Sequence, residues 1–248
     1  MNDKELVINL GLVNTWQRKT VGYIQLNRPD KANAYNDALL NDLSSALDKT
    51  EADGEVRTLV ITGAGNRSFC AGADLNEMKK KDFTNALNLK SAKIFAALAA
   101  YSKVTIAAIN GAAVAGGLEL ALACDIRISS EQARFCFPET KLGLIPAAGG
   151  TRRLPQAVGK ARAKELILGG RIWLAEDALR FGLVSEVVHP YELLARAQQW
   201  GEEIGQRDLL ALQLAKKSID FETSFNLEVG YETIAEALLY QIKKTNDI

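Results

Sequence analysis

Histidine is almost absent from this 248-residue chain, His189 being the single one. A multi-histidine metal centre is therefore excluded. A Ser-His-Asp triad would have to use a residue that precedes Pro190 in what reads as a connecting loop. Carboxylates are left as the main candidates for proton transfer. Cysteine is scarce too. Cys70, Cys124 and Cys136 are odd in number and show no CxxC spacing. That argues against a zinc site and a disulfide framework. It fits a reducing compartment, either the cytoplasm or, for a processed eukaryotic protein, the mitochondrial matrix.

An excess of either charge is also missing. Lys plus Arg and Asp plus Glu both number 30, which disfavours a general polyanion-binding role and makes nucleic acid an unexpected partner. The lysine run Lys79-Lys80-Lys81 reads most simply as a solvated helix face, with the option of meeting a phosphate on a large anionic ligand. Residues 1–12 carry charges and lack the apolar stretch of a secretory leader. The most apolar run, residues 104–124, is interrupted by Asn110, Gly111, Gly116, Gly117 and Glu119, so it reads as a buried strand, a turn and a helix rather than a membrane span. Both nucleotide-loop patterns are incomplete. Ser68 stands where a dinucleotide fingerprint beginning at Gly63-x-Gly65 needs a third glycine. Gly117 and Leu118 stand where a phosphate loop beginning at Gly111 needs Lys and Ser or Thr.

What is present is an ordinary globular balance, 48 % hydrophobic and 24 % charged, in a chain long enough for a substantial core. Residues 20–26, 56–62, 104–109 and 125–129 read as strands, with a short fifth at 133–137. Asn36 or Asp37 caps a helix that puts Leu39, Leu40, Leu43, Ala46 and Leu47 on one face. Residues 94–100 and 118–124 read as helices, and 111–117 as a tight small-residue turn. Alternating strands and helices imply an α/β fold. After Gly182 the pattern turns mostly helical, with amphipathic stretches at 191–204, 208–219 and 227–244. A weak boundary near Pro190 divides a core (1–190) from a helical C-terminal region (191–248).

Residues 110–151 organise the chain. Glu119 and Glu139 lie there among Leu, Ala and Gly. A carboxylate in such surroundings must be paired, hydrogen-bonded or protonated, and burial moves its pKa toward neutrality. Gly116-Gly117 opens the helix that carries Glu119, so free N–H groups and the helix dipole face whatever binds there. A second amide would come from the Ala71-Gly72-Ala73 turn. Such amides stabilise a developing oxyanion. On spacing alone, tight helix–sheet packing explains the glycines equally well. Glu139, taken by itself, reads better as a surface glutamate paired with Lys141, and that reading loses ground only because Glu119 stands 20 positions earlier.

Four stretches carry a family resemblance: Asn27-Arg28-Pro29 with Lys31-Ala32-Asn33-Ala34; residues 69–74 (FCAGAD); residues 110–125, containing Gly116-Gly117-Leu118-Glu119; and Pro138-Glu139 through Pro146 to Gly149-Gly150-Thr151-Arg152-Arg153-Leu154. In this order and together, they make the chain resemble the crotonase superfamily, most closely the enoyl-CoA hydratases. The resemblance implies a spiral of β-β-α units with a C-terminal helical trimerisation region, and a homotrimer or hexamer. It implies an acyl-CoA thioester substrate and no metal or redox cofactor, CoA being part of the substrate. Ala73 and Gly116 match the oxyanion-hole amides. Glu119 matches the carboxylate that activates water for attack at C3, and Glu139 the one that protonates C2. Lys31, Ala32, Ala34, Ala71, Gly72, Asp74, Leu75, Gly117, Pro138 and Ala147 fall where the family meets its substrate.

The presence of both glutamates favours a hydratase of trans-2-enoyl-CoA over an isomerase or an acyl-CoA decarboxylase of the same superfamily. A hydratase of a branched, methylglutaconyl-type thioester, with RNA binding as a second property, is the remaining alternative. Ala147 stands where the family often has glycine, so a positive φ there would be strained. The resemblance also leads one to expect a further helix and a basic, aromatic tail over CoA beyond Asp247, whereas the sequence stops at Ile248.

Overall fold

The structure is a computed structural model that describes residues 8–78 and 89–220. The Lys79-Lys80-Lys81 run and the helix anticipated at 227–244 lie outside the described residues. The strands in chain order are β1 (Ile8–Asn9), β2 (Val13–Arg18), β3 (Val21–Leu26), β4 (Thr58–Gly63), β5 (Ser68–Cys70), β6 (Val104–Ile109), β7 (Ala112–Val114), β8 (Ile126–Ser130), β9 (Arg134–Cys136), β10 (Trp173–Leu174) and β11 (Glu186–Val188). The helices are α1 (Asp37–Ala52), α2 (Leu75–Met78), α3 (Lys90–Ala99), α4 (Gly116–Leu122), α5 (Gly150–Gly169), α6 (Ala175–Arg180), α7 (Leu193–Gly205) and α8 (Leu209–Ile219).

The strands form two sheets. A seven-stranded sheet runs β1-β2-β3-β4-β6-β8-β11, and a four-stranded sheet runs β10-β9-β7-β5. From β4 to β9, consecutive strands alternate between them. β4, β6 and β8 pair in parallel in the large sheet, while β5, β7 and β9 pair in parallel in the small one. Each β-β pair feeds a helix, so the chain advances as a spiral of β-β-α turns. This architecture determines where a site forms. The C-terminal ends of β5, β7 and β9 are neighbours along one edge of the small sheet, and in parallel sheets ligands gather outside that edge.

Several elements follow directly from the sequence. Asn36 caps α1, its Oδ1 accepting the Leu39 N–H at 2.9 Å. The anticipated face of Leu39, Leu40, Leu43, Ala46 and Leu47 is buried, which is where most of a helix's stability in a protein originates. Residues 104–124 become β6, β7 and α4, and no helix among the described residues is long and apolar enough to cross a membrane.

Others differ from expectation. Residues 111–117 are not only a turn, since Ala112–Val114 pairs with both β5 and β9. The mostly helical reading after Gly182 missed β11, which pairs in parallel with β8. β2 and the long helix α5, broken at Gly159 (φ 78°, ψ 157°), had no clear sequence signal. Short strands rich in Ala and Gly owe their conformation to neighbours rather than to propensity. Beyond Pro190, α7 packs Leu193 and Ala197 onto Val21, Tyr23, Val60, Ile106, Ala108 and Ile128 of the large sheet.

Candidate active site

Three turns meet at the edge of the small sheet. β5 ends at Cys70 and runs into Ala71-Gly72-Ala73-Asp74. β7 ends at Val114 and runs through Ala115 into α4. β9 ends at Cys136 and runs through Pro138 into the 3₁₀ turn Glu139–Leu142. Amides from the first two turns, and a carboxyl from each of the last two segments, are thus delivered to one place by the topology.

Glu119 sits on α4 and is 3 % exposed. Its Oε1 accepts the backbone N–H of Ala148 at 2.7 Å and of Gly150 at 2.8 Å. Burial raises its pKa above the ordinary carboxylate value, while the Gly150 and Ala148 amides and the Arg153 charge oppose the rise. These are the supports a buried carboxylate needs in order to remain ionised. A β-carbon on Gly150 would come within 3.0 Å of Glu119 Oε1, so glycine is what allows that amide so close.

Glu139 has a different environment. Its Oε2 is buried and has no hydrogen-bond partner among the described residues. Burial is the main influence that pushes its carboxyl up to about 7; its own backbone N–H opposes this and the nearby Glu119 charge adds to it. The surface-pair reading does not hold. Among the described residues Glu139 makes no ion pair with Lys141, whose side chain instead lies over Gly170. The site therefore contains one carboxylate held by amides and one carboxyl that keeps its proton to near neutrality, the separation that divides acid from base.

The glycines resolve into two jobs. A β-carbon on Gly117 would lie 1.9 Å from the Cys70 carbonyl oxygen, so this glycine serves close packing of α4 on β5. Gly116, one residue earlier, begins α4, and among the described residues neither its N–H nor that of Ala73 has a hydrogen-bond partner. A β-carbon on Gly72 (φ 90°) would stand 3.2 Å from the Gly116 nitrogen, so the two turns are in contact there. Ala115 adopts φ 52°, ψ −129° to turn the chain into α4, a strained geometry for a residue with a β-carbon.

The 28–35 loop joins the same place. Asn33 is fully buried and donates to the carbonyls of Ala64 (3.0 Å) and Ser68 (2.8 Å). Arg28 donates to the Ala34 carbonyl at 2.7 Å and to Asp74 at 3.2 Å. The Ala71 N–H donates to the Ala32 carbonyl at 3.1 Å. Lys31, Ala32, Ala34, Ala71, Gly72 and Asp74 are thereby brought together. Lys31 and Leu75 are exposed at the rim, Gly117 is buried, and Pro138 is half-buried. Ala147 is exposed and does not have a positive φ, so the strain anticipated there is absent; it falls on Ala115 instead.

Sequence reasoning missed Tyr35. Its N–H donates to Gly72 and its carbonyl accepts from Asp74, both at 2.8 Å, so it brackets Ala73. Its ring meets Phe95 edge-on at 5.7 Å, and burial drives its pKa upward, with Ser91 opposing the rise. A tyrosine beside the Ala34 of a small-residue loop was the available signal. The anchoring of Glu119 by Ala148 and Gly150 was also missed; the Gly149-Gly150 pair was the available signal for the second amide, and nothing in residue type marked the first.

A family model described as enoyl-CoA hydratase/isomerase matches residues 17–248. The chain is 40 % identical to a mitochondrial enoyl-CoA hydratase of Pongo abelii over 231 residues, which is 93 % of this chain and 79 % of that protein. It is 41 % identical to a short-chain-enoyl-CoA hydratase of Clostridium acetobutylicum over 219 residues, 88 % of this chain and 84 % of the other. The crystal structure of an enoyl-CoA hydratase from Bacillus anthracis superposes with a TM-score of 0.87 at 36 % identity, covering 91 % of this chain and 90 % of that one.

Proposed function

The chain belongs to the enoyl-CoA hydratase/isomerase family, and we propose that its site adds water reversibly across the 2,3 double bond of a trans-2-enoyl-CoA to give a 3-hydroxyacyl-CoA. The observation that carries this reading is the contrast between the two carboxyls: Glu119 clamped by two amides, and Glu139 with an oxygen unpartnered among the described residues and a pKa pushed to about 7.

In this reading the thioester carbonyl oxygen lies between the Ala73 and Gly116 N–H groups. Glu119, ionised, takes a proton from water as its oxygen attacks C3. The electron pair of the double bond moves onto the carbonyl oxygen, where the two amides and the positive end of α4 stabilise the enolate. Glu139, protonated, delivers its proton to C2 as the carbonyl reforms. Acid and base are both side chains, so the step balances without a metal or redox cofactor. Lys31, Ala32, Ala34 and the Ala71–Leu75 turn line the approach of the CoA portion, with Gly117, Pro138 and Ala147 around the acyl end. We infer that the chain divides into a site-bearing core over 1–190 and a helical region over 191–248. A homotrimer or hexamer is the assembly this implies; the exposed apolar side chains Ile145, Leu168, Ile172, Leu174 and Leu179 give such an interface surface to cover.

The test is to incubate the protein with crotonyl-CoA in water enriched in heavy oxygen and to identify the thioester formed. A 3-hydroxybutyryl-CoA carrying one heavy oxygen is expected. A product of unchanged oxygen content with the double bond moved, or no product from crotonyl-CoA but loss of a carboxyl from a malonyl-type thioester offered separately, would contradict hydration.

A further inference from the structure

We infer that Arg153 is a positioning residue for Glu119: it locks the loop whose amides grip the carboxylate and holds its positive charge against it. The inference deepens the hydratase reading and rests on it for its kinetic consequence only.

A buried guanidinium is costly unless its donors are used. Arg153 is 9 % exposed. It donates to the Ala148 carbonyl at 3.0 Å and to the Phe95 carbonyl at 3.3 Å. Its own backbone N–H donates to the Gly149 carbonyl at 2.8 Å. Residue 148 is thus held from both sides, its carbonyl by Arg153 and its N–H by Glu119. Gly149, at φ 110°, makes this possible, since a β-carbon there would lie 2.0 Å from the Arg153 guanidinium nitrogen. Phe95 stacks edge-on with Tyr35, so the same guanidinium ties α3, the 148–150 loop and α5 into one unit behind the site.

The charges around the pair can be enumerated. Facing Glu119 are Arg153 from α5, Glu139 from the 3₁₀ turn and the Tyr35 phenol. Facing Arg153 are Arg152, Glu119, the Cys124 thiol and Asp220. Burial works against the Glu119 charge, and Arg153 is the counterweight that, with the Gly150 and Ala148 amides, favours its ionised form, while that charge in turn helps Glu139 keep its proton. The anchoring is geometric as well as electrostatic: a loop that moves takes both amides away from the carboxylate at once.

The experiment uses Arg153→Gln, which removes the charge but keeps a donor for the Ala148 carbonyl, and Arg153→Lys, which keeps the charge. The Glu119 carboxyl is titrated in the free protein by carbon-labelled NMR and assigned with Glu119→Gln. Arg153→Gln is expected to move the Glu119 midpoint up by about one pH unit, whereas Arg153→Lys leaves it near that of the parent. In crotonyl-CoA hydration, kcat should fall about ten-fold or more in Arg153→Gln, and the acidic limb of the rate profile should move up by the same amount. KM should change less than two-fold, and Arg153→Lys should recover most of kcat. A Glu119 midpoint unchanged in Arg153→Gln overturns the inference. If Arg153→Gln does not fold, Arg153→Lys decides, and a midpoint raised by a full unit despite the retained charge overturns it. A parent that hydrates no enoyl-CoA defeats the functional reading, while the titration still decides the role of Arg153.

Discussion

The phenol oxygen of Tyr35 lies 2.0 Å from where a β-carbon on Gly116 would stand. Tyr35 also brackets Ala73 with its backbone. One residue therefore braces both amides proposed to hold the enolate. Gly116→Ala must push either the helix start or the phenol aside. We expect kcat/KM for crotonyl-CoA to fall by about 10²–10³, the loss typical of one misplaced oxyanion donor. Tyr35→Phe in the same chain should recover part of it, which a double-mutant cycle measures as positive coupling. Additive losses would separate Tyr35 from the amide.

The pH dependence of turnover follows from Glu139. An acid pushed up to about 7 carries its proton below neutrality, is about half-protonated at that pH, and loses the proton as pH rises further. We expect kcat/KM to be lost with an apparent pKa near 7 on the alkaline side. A profile flat from pH 6 to 9 would remove Glu139 as the donor. (These pH limits are roughly one unit below and two above its midpoint.)

The same group affects stability with a definite sign. Its folded pKa, about 7, exceeds the ordinary 4.5, so folding is disfavoured where an unfolded carboxyl would be ionised. The stability present below about 4.5 is lost as pH rises through about 7. Glu139→Gln escapes this. Urea unfolding should show the variant more stable than the parent by on the order of 2–3 kcal/mol above neutrality, and the gap should close in acid. An equal gap at both ends would mean that packing, not charge, is responsible.

Ala115 offers a gain at no cost to chemistry. Its φ of 52° with ψ −129° is a glycine-like geometry, and its contribution is a carbonyl that accepts from Leu118 and Glu119. Ala115→Gly should raise stability by about 1 kcal/mol, the strain relieved less the entropy glycine adds to the unfolded chain. Hydration rates should stay within about two-fold. A lowered melting temperature would show that the strain estimate is wrong.

The two glutamates were legible because a carboxylate amid Leu, Ala and Gly demands a reason, and the capped, amphipathic α1 was legible because its period is local. The small sheet was not. Ser68–Cys70 and Ala112–Val114 are three residues each and become strands only because the spiral stacks them. Tyr35 was not singled out, because its value comes from Gly116 and Ala73, 81 and 38 positions away along the chain. The anchoring of Glu119 was hidden for a related reason: the partners are backbone amides of Ala148 and Gly150, and although glycine at 150 is what lets its amide approach, the sequence does not say which carboxylate it approaches. Ala147 attracted attention by residue type, but the structure puts the strain at Ala115.

The most direct measurement of the central claim is the initial loss of conjugated-enoyl absorbance from crotonyl-CoA for the parent, Glu119→Gln and Glu139→Gln, with acyl-CoA binding measured in parallel. Rapid loss in the parent is expected, with rates in both variants reduced by at least about 10³ and binding retained. Near-parental turnover in either variant, or no loss in a parent that binds acyl-CoA, would contradict it.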